Sequence, residues 1–549
     1  MTEMQRRNRL IWPDAAAFLA VATAIQIVVG NFTFPPASDE IYHLLAARSW
    51  LSDGTLAVGD GAYTRAAGYT ILLALVQSVF GDSLIVARGL STAFGVMWVL
   101  ALFCWLWTIG GRAVAWIAAL LLTADPEFLE LSHFIRFYTL HGFVFLLGSW
   151  GWYSAVTRRF ASPGAVAAAV GSVAALGVAL HLQLTTMIGV AGLGLWTAIE
   201  LGPSCIAGPR ANRRRVIEGV VVMVLILAGI FVARAWLVET IETAWRIYRW
   251  AAVWAVGNQN NYLFYFDLFL GRYPVFWALF PIAALLAVRR DARFGVFCVT
   301  VFGVAFVLQS FGGMKGARYL YYAVPFFFAI TAMGLCAVAA SVRSLVDTAT
   351  ARLLGDRMPS NWLRAGRLAC YGAIAVFLVA GTPAMRVTVK MAREWPLYRL
   401  EASTDWPDAA NALKPLLVRS QVLLTPDGQQ ALYYLGRADY LVARMKVDES
   451  RSGSEFGMDR RTGLPAISTP QSFRRIMSCY ATGLFVANIS NWRHRVGGAT
   501  DEVADLIESE MREIEIPARW GLRVFAWEHA GWSDPPPECA DLPRRSGMR

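Results

Sequence analysis

Two adjacent acids, Asp39 and Glu40, follow directly after the first long apolar stretch of the chain, whose other end carries arginines at residues 6, 7 and 9. Because arginines mark the cytoplasmic flank of a membrane span, this arrangement puts the acids just beyond the span on its outer side. Charged groups at membrane depth are costly and usually serve chemistry or ion binding, so the pair is a candidate general base or cation ligand. The alternative is a solvated helix start, in which Ser38 caps the helix and the acids favour its positive end.

His43 follows the acids by one helical turn. At spacings of three and four residues it would share one helix face with Glu40 and with Asp39. A histidine there can help a carboxylate act as a base or can contact a substrate, and it can equally serve as a local hydrogen-bond partner. The sequence leaves both roles open.

A second polar segment separates two apolar stretches near residue 130. It presents Glu130, His133, Arg136 and Tyr138, and Arg136 lies at the outer start of a span, against the usual cytoplasmic bias of arginine. A phosphate-binding arginine with a tyrosine hydroxyl beside it explains this position. The alternative is an arginine whose stem follows the apolar surface while its charge reaches the membrane edge, next to an interfacial tyrosine. Glu130 and His133 are candidate substrate ligands.

A third segment combines glycines with the first lysine of the chain. Lys315 lies between Gly313 and Gly316, is followed by Arg318 and Tyr319, and is the sole lysine before residue 390. A compact ammonium charge among glycines is typical of an anion cradle. The alternative is a basic cap at the end of a span, although its place on the outer side favours the anion site.

The elements that position these residues follow from hydropathy. The chain has 549 residues, of which 56% are hydrophobic, and a mean hydropathy of +0.45. Apolar stretches of roughly 17–25 residues recur from residue 14 to about 384, which predicts about 11 transmembrane helices. The clearer predicted spans are residues 14–30, 84–108, 137–156 and 216–237. Arginine clusters between spans assign the N-terminus and loops near 158, 210–215, 289–293 and 343–367 to the inside, and the polar segments described above to the outside.

From residue 385 onward the hydrophobic runs shorten. The pattern predicts helices at 408–417, 429–435 and 501–513, strands at 421–425, 440–443, 483–489 and 522–527, and a mobile loop at 450–464. Alternating strands and helices indicate a small α/β domain, so we divide the chain into 1–384 and 385–549. Cys479 and Cys539 both lie in this second part, where an oxidising compartment would permit a disulfide, although sequence does not fix their separation.

These segments together resemble the GT-C superfamily of membrane glycosyltransferases, and most closely the bacterial relatives of protein O-mannosyltransferases and lipid A aminoarabinose transferases. The resemblance covers about residues 10–385. It rests on the acids at 39–40, the stretches Phe80–Ser83 and Ala87–Leu90, Arg136–Tyr138 and Lys315–Leu320. It implies an inverting transfer of a sugar from a polyprenyl-phosphate donor to an acceptor hydroxyl, at the outer face of the bacterial cytoplasmic membrane.

The residues fit the chemistry that the resemblance implies. A polyprenyl phosphate is a good leaving group, so the site needs a base and cations for the developing phosphate charge. Asp39 is the predicted base and Glu40 its partner, with Mg²⁺, Mn²⁺ or Ca²⁺ at the pair allowed but not required. The predicted phosphate ligands are Arg136, Tyr138, Lys315 and Arg318, and the predicted substrate ligands are His43, Glu130, His133 and Tyr319.

Other classes of function are less consistent with the sequence. The net charge of +11 lies in arginines that flank spans, which disfavours nucleic-acid binding. A lipid or glycolipid transporter would explain many spans and intramembrane charges, but it needs neither a folded outer domain nor charged loops gathered on one side. The acceptor stays open among glycolipid, polysaccharide and protein.

Overall fold

The computed structural model describes residues 3–30, 32–206, 242, 245–246, 248–251, 253–354, 382–394, 405–450, 455–494, 497–529 and 536–543. Contacts divide the chain into two compact units. The helical unit comprises Met1–Gly30, Ser91–His133 and Tyr138–Tyr398, and the sheet unit comprises Asn31–Leu90, Phe134–Phe137 and Arg399–Arg549. The predicted span 216–237 lies outside the described residues, as do the arginines at 210–215 and 357–367 that were predicted to lie inside.

The helices, in chain order, are α1 (Glu3–Val29), α2 (Ser38–Asp53), α3 (Ala67–Phe80), α4 (Leu84–Gly110), α5 (Arg112–Thr123), α6 (Pro126–Ser132), α7 (Tyr138–Thr157), α8 (Pro163–Leu182), α9 (Thr186–Ile206), α10 (Phe264–Arg272), α11 (Pro274–Ala278), α12 (Phe280–Arg290), α13 (Ala292–Phe311), α14 (Ala317–Leu320), α15 (Val324–Leu354), α16 (Pro383–Arg393), α17 (Trp406–Arg419), α18 (Gly428–Gln430), α19 (Arg444–Glu449), α20 (Pro470–Cys479) and α21 (Asp501–Glu510). The strands are β1 (Ala57–Val58), β2 (Gly61–Ala62), β3 (Val422–Thr425), β4 (Tyr440–Val442), β5 (Gly457–Met458), β6 (Pro465–Ile467), β7 (Thr482–Asn488), β8 (Arg512–Glu513) and β9 (Leu522–Glu528).

Long apolar helices dominate the helical unit. Five segments of the described chain are long and apolar enough to cross a membrane: Ile11–Val29, Leu84–Gly110, Pro163–Leu182, Ala292–Phe311 and Ala317–Leu345. The observed α4 and α7 agree with the predicted spans 84–108 and 137–156 to within two residues. The chain is therefore a multi-pass membrane protein, and the total of about 11 spans stays a prediction.

The sheet unit contains a seven-stranded mixed sheet with the order β5-β6-β4-β3-β7-β9-β8. Strand β3 pairs in parallel with β4 on one side and β7 on the other, whereas β7 and β9 pair antiparallel over their full length. The four predicted strands are confirmed. The predicted loop at 450–464 is wrong in part, because Gly457–Met458 forms β5, and the predicted helix 501–513 ends at Glu510 because residues 512–513 pair with β9.

The segment between α1 and α4 packs with this sheet. Tyr42, Val58 and Tyr63 share one buried core with Leu441 and Leu464 of the sheet region. The predicted division at residue 384 separates these residues from the sheet, because hydropathy carries no information about this long-range packing. The acid-bearing helix α2 therefore belongs to the same compact unit as the sheet.

Cys479 and Cys539 form a disulfide, with Cα atoms 5.5 Å apart and a separation of 60 positions in sequence. It ties the end of α20 to the C-terminal segment, and both cysteines are buried. Closing a loop of this length is expected to stabilise the fold by about 4 kcal/mol in the chain-entropy model.

We therefore expect the double variant C479S/C539S to lose about 4 kcal/mol of unfolding free energy, measured by thermal and denaturant unfolding of the purified protein. A reducing agent should destabilise the wild type to the same extent and leave the double variant unaffected. Equal stability of both proteins without reductant would show that the bond is absent.

Candidate active site

Helix α2 begins one residue earlier than a Ser38 cap would require. Ala37 is its N-cap residue, and Ser38 is the first helical residue, whose hydroxyl accepts a hydrogen bond from Gln430 Nε2 at 2.6 Å. The end of the helix that carries the acids is therefore fixed by a side chain from the segment after β3. Both acids lie in the first turn, where the helix dipole favours negative charge.

Glu40 is buried and surrounded by donors. Its Oε1 accepts hydrogen bonds from Arg88 Nε at 3.3 Å and from Ile135 N at 2.9 Å, and its Oε2 from Arg88 Nη2 at 3.1 Å and Ala37 N at 2.7 Å. A carboxylate offers about four acceptor positions, so these four donors use its capacity. Glu40 thus joins the start of α2 to the backbone of residue 135, the neighbour of Arg136.

Asp39 forms an ion pair with that arginine. Asp39 Oδ2 lies 2.5 Å from Arg136 Nη1, and the side chain of Asp39 is 34% exposed whereas that of Arg136 is 1% exposed. The guanidinium is held from behind, with its carbon 5.5 Å from the centre of the Phe137 ring. A carboxylate oriented by a buried cation and still open to solvent has the geometry of a proton acceptor.

His43 lies beneath this surface, fully buried. Its Nδ1 lies 2.8 Å from Thr70 Oγ1 and its Nε2 lies 3.5 Å from the Tyr63 hydroxyl. Burial lowers the pKa of His43 well below its usual value, and the charges of Arg136 and Arg65 lower it further. A neutral, enclosed imidazole fits the local hydrogen-bond role better than a substrate contact. The substrate role of His43 stays a prediction.

Two exposed arginines, Arg65 and Arg461, lie against the rings of Phe137 and Tyr42, and neither was singled out from the sequence. The guanidinium of Arg65 lies 5.7 Å from the centre of the Phe137 ring, and that of Arg461 lies 5.5 Å from the centre of the Tyr42 ring. Burial raises the pKa of Tyr63, while the charges of Arg136, Arg65 and Arg461 oppose this shift and that of Asp39 adds to it. No sequence motif marks either arginine, since each acts only through the packing of distant segments.

In the helical unit, Lys315 is enclosed by the loop after α13. Its Nζ donates hydrogen bonds to Gly312 O at 2.6 Å and Gln259 O at 2.8 Å. Gly313 allows the loop to form, because a Cβ there would lie 2.2 Å from Arg249 O. Gly312 is the C-cap residue of α13, so the ammonium has the capping role that the sequence left open beside the phosphate role.

We expect K315A to lower the unfolding free energy by about 1.5–3 kcal/mol, because carbonyl acceptors lose a charged donor. It should also raise KM for a polyprenyl-phosphate donor, and K315R should recover only part of the loss, since a planar fork replaces a point charge. K390A is the control, because that lysine is exposed and lies 3.8 Å from Glu394. A normal donor KM in K315A would restrict Lys315 to capping.

Arg318 is half-buried at the start of α14, between two tyrosine rings. Its guanidinium carbon lies 5.9 Å from the centre of the Tyr138 ring and 5.4 Å from that of Tyr319, and both tyrosines are largely buried. The helical unit thus brings three of the predicted ligands together. An arginine between aromatic rings keeps its fork oriented, which suits a phosphate ligand.

The remaining predicted ligands occupy α6 and its end. Glu130 is exposed, and His133 is buried with Nδ1 2.7 Å from Leu129 O and Nε2 3.1 Å from Gln26 O. Because both ring nitrogens face backbone carbonyls, His133 fits an internal tie between α1 and α6. Its substrate role stays a prediction, as does that of Glu130.

Asp125, at the N-cap of α6, is a buried acid with a structural environment. It accepts hydrogen bonds from the hydroxyls of Tyr273 and Tyr321, the latter at 2.6 Å, and from Phe128 N at 3.1 Å. Burial raises its pKa. Nearby, Glu127 pairs with Arg272 at 2.7 Å. These contacts hold α6 against the end of α10 and against the short turn that begins at Tyr321.

The fit of a divalent cation to the acid pair can be judged from the donors. Both oxygens of Glu40 already accept two N–H groups each, so Glu40 has no position left for a metal. Within the described parts of the chain, no group of three or more His, Cys, Asp or Glu side chains has metal-binding geometry. The Asp39–Glu40 pair therefore does not fit a divalent metal ion.

No protein-family model and no curated protein sequence matches the chain. Solved structures do. ArnT from Cupriavidus metallidurans bound to undecaprenyl phosphate matches with a TM-score of 0.55 at 15% identity, over 93% of this chain and 97% of that one. The oligosaccharyltransferase AglB from Archaeoglobus fulgidus, in complex with an inhibitory peptide and a dolichol-phosphate, matches with a TM-score of 0.57 at 13% identity, over 91% and 72%. The chain shares its fold with both, so the predicted resemblance is confirmed at the level of the fold.

Proposed function

We propose that the protein is an inverting GT-C glycosyltransferase that moves a sugar from a polyprenyl phosphate to an acceptor hydroxyl at the outer face of a bacterial cytoplasmic membrane. The observation that carries the proposal is the half-exposed Asp39 carboxylate, oriented by the buried Arg136 at 2.5 Å. It lies in a chain whose fold is shared with two structures solved with polyprenyl phosphates. No donor sugar or acceptor is assigned by these observations.

In the proposed reaction Asp39 accepts the proton of the acceptor hydroxyl. The acceptor oxygen then forms a bond to the anomeric carbon of the sugar from the face opposite the leaving group. The bond between that carbon and the phosphate oxygen breaks, and its electron pair leaves with the polyprenyl phosphate. Because the leaving group is already an anion of low basicity, the reaction needs no strong general acid.

The donor phosphate gains negative charge as the sugar departs, so cations should be placed toward it. In the helical unit, Arg318 with Tyr138 and Tyr319 is our proposed ligand set, and Lys315 stays a predicted member. In the sheet unit, Arg136 is already paired with Asp39, which supports a role in orienting the base beside its predicted role in phosphate binding. Glu40 is proposed to position residue 135 and thus the ion pair, rather than to react.

The membrane orientation is part of the proposal. Arginine clusters support a cytoplasmic N-terminus, and the disulfide between Cys479 and Cys539 supports an oxidising compartment for the sheet unit. Cysteine-accessibility labelling in a variant without native free cysteines should find positions 60, 130, 260 and 430 outside, and positions 212 and 355 inside. Cytoplasmic labelling at position 430 would contradict the orientation.

The function is tested by incubating the purified protein with a panel of labelled polyprenyl-phosphate sugars and measuring donor hydrolysis or transfer by mass spectrometry. Turnover of at least one donor by the wild type and its loss in D39N is the expected result. Absence of turnover across the panel, with membrane extracts as acceptors, would contradict the proposal. A lipid transporter remains the alternative class; no structural observation favours it, and it would move a labelled lipid without cleaving it.

A further inference from the structure

A turn of the sheet region holds Arg461 in a fixed position. Asp459, which precedes the turn, pairs with Lys446 Nζ at 3.1 Å and accepts a hydrogen bond from Thr462 Oγ1 at 2.8 Å. Gly463, whose φ is +70°, closes the turn by donating its N–H to Asp459 O at 2.7 Å. The Lys446–Asp459 ion pair is largely buried, and together with these hydrogen bonds it holds the backbone from which the side chain of Arg461 extends.

The turn lies directly against the β1–β2 hairpin. Asp60 N donates to Thr462 O at 3.1 Å, and a Cβ on Gly61 would lie 2.4 Å from Arg461 O. Backbone therefore touches backbone, which only glycine allows at this distance. This contact places Arg461 beside α2, where its guanidinium lies over the ring of Tyr42, three residues after Asp39.

A cluster of four aromatic rings connects Arg461 with the Asp39–Arg136 ion pair. Tyr42 stacks on Tyr63, with ring centres 5.1 Å apart, and Tyr63 contacts the ring of His43 edge-on at the same distance. His43 in turn meets the edge of Phe137 at 6.1 Å. These four buried rings therefore form one continuous chain of contacts between Arg461 and the residue next to Arg136.

The charged side chains around this ring cluster are mostly positive. Arg65 and Arg461 are exposed, and among the described residues neither lies within ion-pairing distance of a carboxylate. Arg136 is matched by Asp39, and Asp459 by Lys446. Arg65 lies over the ring of Phe137, next to Arg136 in the chain, and Arg461 lies over the ring of Tyr42, three residues after Asp39. Two guanidinium groups that form no ion pair with a described carboxylate thus lie on the ring cluster that carries the Asp39–Arg136 pair, and such groups are suited to bind an anion.

We propose that Arg461, together with Arg65, binds an anionic group of the acceptor, so that the acceptor of the transfer carries a phosphate or a carboxylate near its reacting hydroxyl. That the bound anion is the acceptor of a sugar rests on the proposed function. The binding of a small hydroxyl-bearing anion beside Asp39 rests on the arginines alone and is measurable without turnover.

The test uses the full-length protein in nanodiscs, saturated with undecaprenyl phosphate so that a donor phosphate site is filled. Calorimetric titrations compare sn-glycerol 3-phosphate, D-glycerate and glycerol. The wild type should bind at least one of the two anions about tenfold or more tightly than glycerol, as charge-assisted hydrogen bonds to a fork predict. The stronger of the two anions identifies phosphate or carboxylate.

Three variants sharpen the comparison. R461Q should lose about tenfold in affinity for the preferred anion, and R461K should recover part of it, since it restores charge without the fork. R460Q is the matched control, because Arg460 is the exposed neighbour in the same turn, and it should bind like the wild type.

The inference is overturned if R461Q binds the anion as tightly as R460Q does. It is also overturned if R461Q weakens undecaprenyl phosphate binding and leaves anion binding unchanged, because Arg461 would then contact the donor. Failure of the glycosyltransferase proposal has a different signature, since the donor panel would show no turnover while anion binding could still depend on Arg461.

Discussion

Replacing Asp39 by asparagine is expected to lower the rate of sugar transfer by 100-fold or more, while thermal stability and donor affinity stay close to those of the wild type. An amide of the same shape cannot accept the proton of the acceptor hydroxyl. The carboxylate is 34% exposed, so the substitution leaves no fully buried space, although Arg136 loses its ion-pair partner.

The measurement is single-turnover transfer with one defined polyprenyl-phosphate sugar, beside a thermal melt of each protein. D53N is the matched control, because Asp53 ends the same helix and is fully exposed. We expect it to retain wild-type activity. If D39N keeps more than about a tenth of wild-type turnover, Asp39 is not the base, since a base contributes at least about a hundredfold.

Local patterns in the sequence predicted the local parts of this structure. Hydropathy located α4 and α7 almost to the residue, and short apolar runs located β3, β4, β7 and β9. The acids at 39–40 and Arg136 were singled out because charge beside a membrane span is unusual, and the structure pairs Asp39 with Arg136. These features depend on neighbours in sequence or on composition alone.

The parts that sequence did not predict depend on long-range packing. Arg88 lies 48 residues from Glu40, and Arg461 meets Tyr42 only because the β1–β2 hairpin docks on a turn about 400 residues later. No periodicity records such a contact. The two adjacent acids also look alike in sequence, whereas burial separates them: Glu40 is enclosed by four donors and Asp39 remains open.

Because Glu40 is buried with its donors, replacing it is expected to have a large effect on stability. E40Q should lower the unfolding free energy by about 3–5 kcal/mol, because it leaves the charge of Arg88 buried without its partner. The two side chains are 3% and 4% exposed. The amide group would also turn an N–H donor toward the backbone N–H of Ala37 or Ile135, where Glu40 now accepts.

The nearby pair of Arg48 and Asp82 provides the control. Its atoms lie 2.7 Å apart, but its side chains are 40% and 44% exposed. D82N should therefore cost about 1 kcal/mol or less. A double variant E40M/R88M should be more stable than E40Q, because it removes the unpaired charge together with its partner.

Activity distinguishes positioning from chemistry for Glu40. If Glu40 holds residue 135 and so orients Arg136 toward Asp39, the transfer rate of E40Q should fall for two reasons. Part of the loss should follow the smaller amount of folded protein. A further loss should persist in E40M/R88M, because neither variant restores the hydrogen bond that Glu40 accepts from Ile135 N. A catalytic Glu40, as the sequence analysis predicted, would give the opposite pattern. E40Q would then melt near the wild-type temperature and still lose 100-fold or more in rate. The buried bidentate contact with Arg88 is the reason to expect the first result.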